Sequence, residues 1–274
     1  MRQINFILLC FGFLLVMGGC SKFSKLQKST DVMEKYNGAL AYYDKKDYYR
    51  AGELLNEVIP LLRGTEQAEK ALFFRAYCTY QLRELILSAY HFKSFVETYP
   101  RSAMAEEAMY LYCMSLYEDS PPYYLDQSNT VETLDAINSF LLNFPDNPNK
   151  ERIASIAELC KVKLEVKAWE NTKLYYKTEN YKAASIALET FSKDYPESKF
   201  LEECYYLQVA TQYYFAKNSV DTKKNERYDV LVDKYQNFID KYPSSRFAKE
   251  AERYYKVAQA RLGNSSASEE ITKE

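Results

Sequence analysis

The sequence predicts an all-α protein built from about five helix–turn–helix units, and three observations lead to this prediction. Glycine is scarce, with 7 residues among 274, which disfavours the tight turns and bulges of a β-rich fold. Apolar residues recur at spacings of three and four along most of the chain, and no segment alternates with the period of two that a strand needs. A short motif containing proline returns several times and divides the chain into units.

The returning motif is an aromatic residue, proline, any residue, and then serine or asparagine. It reads YPRS at 99–102, YPES at 195–198 and YPSS at 242–245, with FPDN at 144–147 as a weaker copy. Proline cannot continue a helix and disfavours helical geometry in the preceding residue. Serine two positions later suits the N-cap of the next helix. The motif therefore predicts where one helix ends and the next begins.

A phenylalanine lies four residues before the aromatic residue of each motif. These residues are Phe95, Phe140, Phe191 and Phe238. Residues four apart lie on the same face of a helix, one turn from each other. We therefore expect each phenylalanine to pack into the neighbouring helix pair.

Prolines close the successive units, which resemble tetratricopeptide repeats. The closing prolines are Pro60, Pro100, Pro145, Pro196 and Pro243. Their spacings of 40, 45, 51 and 47 residues exceed the nominal period of 34, so longer loops and helices are expected. In the first unit Ala39, Tyr42, Ala51 and Leu55 occupy that family's small, aromatic, Ala and large apolar positions. The resemblance predicts a superhelix of repeats.

The N-terminal residues have the composition of a secretory signal peptide. One arginine precedes an uncharged run over 4–19, which is too short for a comfortable membrane span, although a short anchor helix is an alternative. VMGGC at 16–20 resembles the bacterial lipobox. That resemblance implies a thioether-linked diacylglycerol and an N-acyl chain on Cys20, and Ser21 after it favours the outer membrane.

These patterns divide the chain into four parts. We expect a signal peptide over 1–19, a lipidated cysteine and polar tether over 20–30, a repeat domain over 31–262 and a disordered tail over 263–274.

Composition and charge exclude other classes of protein. The chain is 47% hydrophobic and 27% charged, as globular proteins are. Removal of the signal, with its single arginine, leaves 35 of the 36 basic residues against 38 acidic ones, a net charge of −3. This balance argues against a nucleic-acid partner and predicts little attraction to anionic surfaces.

Four cysteines lie in the predicted repeat domain, each within an apolar helical segment. They are Cys78, Cys113, Cys160 and Cys204. They form no C-x-x-C pair, and the single histidine, His91, cannot complete a zinc site. An even number of cysteines in an exported protein leaves disulfides open, and small buried thiols are the alternative.

The sequence contains no motif that predicts catalysis. It lacks a P-loop, a dinucleotide fingerprint, G-x-S-x-G and H-E-x-x-H. Adjacent acidic residues such as Glu106 and Glu107 suit the positive end of a helix better than acid–base chemistry. We therefore predict a binding protein and not an enzyme, without metal or cofactor other than the lipid on Cys20.

The expected binding surface is the concave side of the repeats, which holds peptides or partner proteins. The tetratricopeptide frame places four positions of each first helix in this groove. Seven of the twelve matching residues in three units are aromatic. They are Tyr36, Tyr43, Phe73, Tyr77, Tyr80, Trp169 and Tyr176. Packing between repeats is the alternative role for each of them, but together they suit an extended, partly apolar peptide.

The lipobox, the tether and the F-x3-YP-x-S junctions together resemble the BamD, or ComL-type, family of outer membrane assembly lipoproteins. The resemblance covers nearly the whole chain. It implies a non-catalytic subunit of the β-barrel assembly (BAM) machinery, anchored in the outer membrane and facing the periplasm. It also implies binding to the POTRA domains of a BamA-like barrel protein, chiefly through the C-terminal repeats. The N-terminal repeats would receive unfolded outer membrane protein precursors, whose signal ends in an aromatic residue.

Three other functions are alternatives to this one. A periplasmic tetratricopeptide adaptor for cell division would carry a trimerising coiled coil, and residues 20–35 are too short for several heptads. A glycan-binding lipoprotein would carry large inserted ligand-binding regions. A helical-toroid enzyme would need a placed acid or an Asp-rich motif, and we find neither.

Overall fold

The computed structural model describes residues 22–271, with side chains up to residue 263. The predicted signal peptide over 1–19 and the lipidation site Cys20 lie outside the described residues. All regular elements from residue 22 to residue 271 are helices, which confirms the all-α prediction.

Twelve α-helices follow one another in the described range. They are α1 (22–28), α2 (Val32–Asp44), α3 (Tyr48–Val58), α4 (Glu66–Gln81), α5 (Leu85–Thr98), α6 (Ala105–Asp119), α7 (Ser128–Asn143), α8 (Lys150–Lys177), α9 (Tyr181–Asp194), α10 (Leu201–Lys217), α11 (Asp221–Lys241) and α12 (Ala248–Ile271). A 3-10 turn, Ile59–Leu61, follows α3. Short turns join α2 to α3, α4 to α5, α8 to α9 and α10 to α11, and a longer loop over 120–127 joins α6 to α7, which gives the five predicted helix pairs.

The chain forms two compact units, Met1–Cys160 (unit 1) and Lys161–Glu274 (unit 2), and α8 contains the boundary between them. Unit 1 buries two apolar clusters, one around Leu54 and Leu55 and one around Phe92 and Ile137. Unit 2 buries one cluster, which includes Trp169. Burial of a large apolar side chain contributes about 1.5–3 kcal/mol, so these clusters are the main source of stability in each unit.

Each junction phenylalanine is buried, with at most 2% of its surface exposed. Its aromatic partner belongs to the first helix of the same pair and not to the neighbouring pair. The contacts are Phe95–Phe73, Phe140–Tyr110, Phe191–Trp169 and Phe238–Tyr206, with ring centroids 5.0–6.4 Å apart. The phenylalanine therefore closes its own pair just before the proline ends the helix.

The serine of the junction does not cap the next helix as the sequence suggested. Helix α6 begins at Ala105 with Met104 as its N-cap, because the chain first makes a turn in which the Ser102 carbonyl accepts from Ala105 N–H. Ser102 Oγ instead accepts from Met104 N–H at 2.9 Å and donates to Glu69 Oε1 at 2.5 Å. Glu69 lies on α4, the first helix of the preceding pair.

The same bond recurs at the other three junctions, and we call it the junction latch. The pairs are Asn147–Glu106, Ser198–Glu165 and Ser245–Glu202, with donor–acceptor distances of 2.5–2.6 Å. In every case a polar side chain two residues after the proline donates to a carboxylate on the preceding first helix. The latch therefore joins each of these junctions to the first helix of the preceding pair, which the N-cap interpretation did not predict.

Part of the predicted tether is a docked helix. Residues 22–28 form α1, and Leu26 is only 9% exposed. Phe23 and Leu26 are three residues apart and share a face. The Phe23 ring lies 5.7 Å from that of Tyr42, and a Cβ at Gly38 would lie only 2.7 Å from Leu26 Cδ1. The absence of a side chain at Gly38 lets α1 approach α2 closely.

The end of the chain also differs from the prediction. Helix α12 continues through Gly263 to Ile271, so most of the segment predicted to be a disordered tail is helical. The stretch after Gly263 contains alanine and glutamate but no proline, and a single glycine costs a helix only about 1 kcal/mol.

We expect the Ser102→Ala substitution to destabilise unit 1 by about 1–3 kcal/mol, because it leaves the Glu69 carboxylate and the Met104 N–H without their partner. The measurement is the urea midpoint followed by circular dichroism. Ser139→Ala is the matched control, since exposed Ser139 donates only to the Asp135 carbonyl of its own helix. Equal midpoints for the two variants would show that the latch adds no stability.

Candidate peptide-binding surface

Three of the seven predicted groove residues are core residues. Tyr36, Phe73 and Trp169 are 5%, 4% and 1% exposed. Phe73 and Trp169 face the second helix of their own pair, where each meets a junction phenylalanine, and Tyr36 packs in the N-terminal cluster of unit 1. Their prediction as groove residues is corrected accordingly, because the tetratricopeptide frame does not say which aromatic rings the junctions will cover.

The other four predicted residues are half-buried. Tyr43, Tyr77 and Tyr80 belong to unit 1, and Tyr176 belongs to unit 2. The Tyr43 ring stacks on Phe74 at 4.1 Å and lies 5.6 Å from Tyr77. Tyr43 and Tyr77 therefore pack against neighbouring rings and leave only part of each ring exposed.

A cavity of about 450 Å³ in unit 1 is lined by two of the predicted residues, Tyr77 and Tyr80. It lies between α4, α6 and the segment that precedes α8. Its other lining residues are Gln81, Ala103, Glu106, Glu107, Tyr110, Leu111, Asn147, Pro148 and Asn149. Three tyrosines therefore share one cavity with two carboxylates and two asparagines. Sequence reasoning missed Tyr110 and the asparagines because the third unit matches the repeat frame poorly.

Hydrogen bonds hold the polar groups of this cavity in place. The Tyr80 hydroxyl donates to Glu118 Oε1 at 2.7 Å, and Glu118 also forms an ion pair with Arg83. Burial, followed by the bond to Glu118, raises the pKa of Tyr80, so its hydroxyl stays protonated at neutral pH. Glu106 is held by the latch to Asn147, whereas Glu107 is exposed.

The cavity can therefore offer aromatic faces, fixed amides and a carboxylate, and its lining contains no lysine or arginine. Aromatic rings give large contact area at low entropic cost. Backbone N–H groups of an extended chain would find acceptors in the carboxylates and amides. This chemistry suits binding of a partly apolar chain.

Unit 2 contains a second set of tyrosines around Tyr176. The Tyr176 ring lies 6.1 Å from Tyr181 and 6.4 Å from Tyr214, and Tyr181 stacks on Tyr214 at 5.2 Å. Burial raises the pKa of Tyr176 to about 12. Beyond these rings, Tyr213 stacks on Tyr254 of α12 at 4.5 Å, so the cluster connects the last helix to the pair before it.

The outer face of α12 in unit 2 is strongly charged. It forms a shallow depression of about 740 Å³ lined by Arg246, Lys249, Glu250, Glu252, Arg253, Lys256, Val257 and Ala260. Arg253 pairs with Glu250 at 3.1 Å and Lys256 pairs with Glu252 at 2.7 Å, whereas Arg246 and Lys249 are exposed. We call this surface the α12 face.

The four cysteines of the repeat domain and the single histidine are buried. Cys78, Cys113 and Cys204 are buried free thiols, and Cys160 is buried too, which agrees with the alternative of buried thiols. Burial, followed by the charge of Arg75, lowers the pKa of His91 to about 4, so the ring is neutral at physiological pH.

Within 22–271 no group of three or more His, Cys, Asp or Glu side chains could hold a metal ion. No helix in that range combines the length and the hydropathy needed to cross a bilayer.

Comparison with protein families gives a match over most of the chain. The model of the YfiO family, described as outer membrane lipoprotein, matches residues 28–170 and 167–268. These two segments together include all five helix pairs and most of α12.

Two curated relatives match at low identity. A protein of Aquifex aeolicus (strain VF5), provisionally named outer membrane protein assembly factor BamD, is 28% identical over 43% of this chain and 40% of its own length. The outer membrane protein assembly factor BamD of Rickettsia prowazekii (strain Madrid E) is 24% identical over 71% of this chain and 78% of its own length. The chain thus spans less than half of the first relative and most of the second.

Among solved structures, the chain is similar to a crystal structure of a TPR repeats protein from Bacteroides fragilis NCTC 9343. The TM-score is 0.36 and the identity 14%, over 85% of this chain and all of that chain.

We expect Cys78, Cys113 and Cys204 to resist alkylation in the native protein. Burial raises the pKa of each thiol to about 12, so roughly one thiol in ten thousand is ionised at pH 8. Iodoacetamide labelling with mass analysis should leave them unmodified until urea is added. Rapid labelling of any of the three in native buffer would contradict their burial.

Proposed function

The chain belongs to the YfiO family of outer membrane lipoproteins, and on that premise we propose that it is a non-catalytic subunit of the β-barrel assembly machinery. In this proposal the lipid on Cys20 anchors the protein in the outer membrane, and the repeat domain faces the periplasm. The names of the two curated relatives, both outer membrane protein assembly factor BamD, support the proposal.

The observation that carries the proposal is the tyrosine-lined cavity of unit 1. We assign it to unfolded barrel precursors, which are extended chains with alternating apolar side chains. Tyr77, Tyr80 and Tyr110 offer aromatic contact surface within about 450 Å³, which is enough for one or two side chains. The junction latch between Asn147 and Glu106 shapes one wall, so the cavity is formed before any ligand arrives.

The charge of the cavity limits how a precursor would enter it. Its lining includes Glu106 and Glu107 and no cation, so a terminal carboxylate inside it would meet like charge. We therefore propose that an aromatic side chain of the precursor occupies the cavity while its C-terminal carboxylate stays outside in solvent.

A second surface suits a folded partner. The α12 face in unit 2 combines exposed cations with the exposed apolar residue Val257, which is 41% exposed. Mixed charged and apolar surfaces of this kind are typical of the rim and centre of protein interfaces. We propose that this face receives the POTRA domains of a BamA-like barrel protein.

Binding without catalysis is the role that the cavity chemistry favours. The Tyr80 hydroxyl is committed to Glu118, and its raised pKa excludes it as a base at neutral pH. The carboxylate of Glu106 is committed to the latch. These groups position a ligand and do not transfer protons.

A detergent pull-down of the tagged full-length protein from its native membranes tests the cellular role. We expect recovery of a large barrel protein that carries POTRA repeats. Recovery of wall-synthesis or division proteins in its place would overturn the proposal in favour of a tetratricopeptide adaptor.

We expect the double substitution Tyr77→Ser and Tyr110→Ser to weaken binding of a barrel-type peptide with a C-terminal aromatic residue by roughly tenfold, because each ring contact contributes about 0.5–1.5 kcal/mol. Fluorescence anisotropy of the labelled peptide gives the affinity, and circular dichroism checks the fold. The double variant Tyr49→Ser and Tyr90→Ser is the control, since both tyrosines are exposed and outside the cavity. Unchanged affinity in the first variant would remove the cavity from the binding site.

A further inference from the structure

The docked position of α1 determines where the lipid anchor leaves the folded domain. Leu26 contacts Gly38 in the middle of α2, and Phe23 contacts Tyr42 near its end, so α1 runs antiparallel to α2. Lys22 therefore lies beside the turn between α2 and α3. Cys20 is only two residues before Lys22, and two residues span at most about 7 Å.

Arg50 fixes this arrangement at the start of α3. Its guanidinium lies 5.7 Å from the ring of Phe23 and 5.7 Å from the ring of Tyr42. It also pairs with Asp47, the N-cap of α3, at 2.7 Å. The start of α1 is thereby held against the turn and does not act as a free tether.

The turn between α2 and α3 belongs to one edge of unit 1. The two helices of a pair run antiparallel. The turns α2–α3 and α4–α5 and the loop α6–α7 therefore lie on the same edge, and the junctions containing proline lie on the opposite edge. We call the first of these the turn edge. Lys22, two residues after Cys20, lies at the first turn of this edge, between α2 and α3.

Exposed lysines surround the point where the anchor leaves. Lys22, Lys45 and Lys46 are exposed, and none of them pairs with a carboxylate in the described part of the chain. Of the two acidic side chains at this turn, Asp47 is bound to Arg50, which leaves only Asp44. The local charge is therefore positive although the whole mature chain is negative.

Exposed apolar and aromatic residues continue along the turn edge. Tyr49 is 62% exposed, Leu82 38%, Ile86 73% and Tyr124 68%, and each lies in or next to one of the two turns or the loop. Tyrosine rings combine an apolar body with a polar tip and are favoured at membrane–water interfaces.

We propose that the turn edge of unit 1 rests on anionic phospholipid headgroups of the leaflet that holds the lipid of Cys20. The proposal rests on the acylation of Cys20 proposed above. Lys22, Lys45 and Lys46 bind lipid phosphates, and the exposed tyrosines lie among the headgroups. The anchor thus orients the domain as well as tethering it, with one chosen edge toward the bilayer.

The net charge of −3 does not oppose this contact. Charges act over about 8 Å at physiological ionic strength, so distant acidic residues contribute little at the surface. Each lysine near an anionic membrane contributes a favourable free energy of about the same size as the other lysines. These contributions add to the binding free energy of the lipid anchor.

Hydrogen exchange of the acylated full-length protein in vesicles tests the proposal. We expect amides of 42–50 and 82–87 to exchange more slowly in vesicles containing phosphatidylglycerol than in pure phosphatidylcholine vesicles. The triple substitution Lys22→Gln, Lys45→Gln and Lys46→Gln should lower the docked-to-undocked ratio by roughly a hundredfold and remove this difference.

The matched control removes three cations from the opposite edge of the same unit. Arg63, Arg101 and Lys150 are exposed at the junctions before α4, α6 and α8, and their replacement by glutamine should leave the protection unchanged. Equal exchange in the two kinds of vesicle, or equal loss in both variants, would overturn the docking.

Flotation separates failure of the premise from failure of the docking. A chain that does not float with the vesicles lacks its anchor, and this overturns both the proposed acylation and the docking. A chain that floats but shows uniform exchange overturns the docking alone. Since no partner protein is present in the vesicles, neither result depends on the proposed assembly role.

Discussion

The order of the helix array depends on one hydrogen bond, the junction latch between a serine or asparagine and a carboxylate on the preceding first helix. A bond to a charged acceptor contributes about 1.5–3 kcal/mol, and here it is made four times with nearly the same geometry. Proline ends the second helix, and a turn separates it from the start of the next helix. This turn directs the polar side chain back toward the earlier repeat. The junctions before α6, α8, α10 and α12 are therefore each held by the first helix of the preceding pair.

The latch and the junction phenylalanine contact the same face of the first helix, one turn apart, since Glu69 and Phe73 are separated by four residues, as are Glu165 and Trp169. Together they decide which aromatic rings are available to a ligand. Phe95 covers Phe73 and Phe191 covers Trp169, so these rings belong to the core. Tyr77 and Tyr80 lie farther along α4 than Phe73 and stay half-exposed. Glu106, which a helix-dipole argument explains only in part, forms the wall of a cavity because Asn147 holds it there. The proposed precursor site is thus a by-product of how repeats are joined.

Electrostatics act locally in this protein, and a single net charge conceals this. The cavity of unit 1 is acidic, the turn beside α1 is basic, and the α12 face of unit 2 carries both signs. Because salt screens charges beyond a short distance, each surface acts only on the partner that it contacts. The proposed membrane-facing edge, the proposed site for an apolar chain and the proposed site for a folded protein can therefore act without interfering with one another.

Much of the fold could be read from local patterns. Proline, the apolar spacing of three and four and the scarcity of glycine act within a few residues, so helix pairs, their order and the burial of Phe95 and its counterparts followed from the sequence. The partner of Ser102, the burial of Trp169, the docking of α1 on Gly38 and the Tyr110 wall of the cavity did not. Each of these depends on residues about 10 to 40 positions apart whose distance is fixed only when the repeats stack. Sequence alone determined the repeating helical unit, because propensity and periodicity are local. Tertiary structure decided which faces remain open, because burial depends on what lies next to a residue in space.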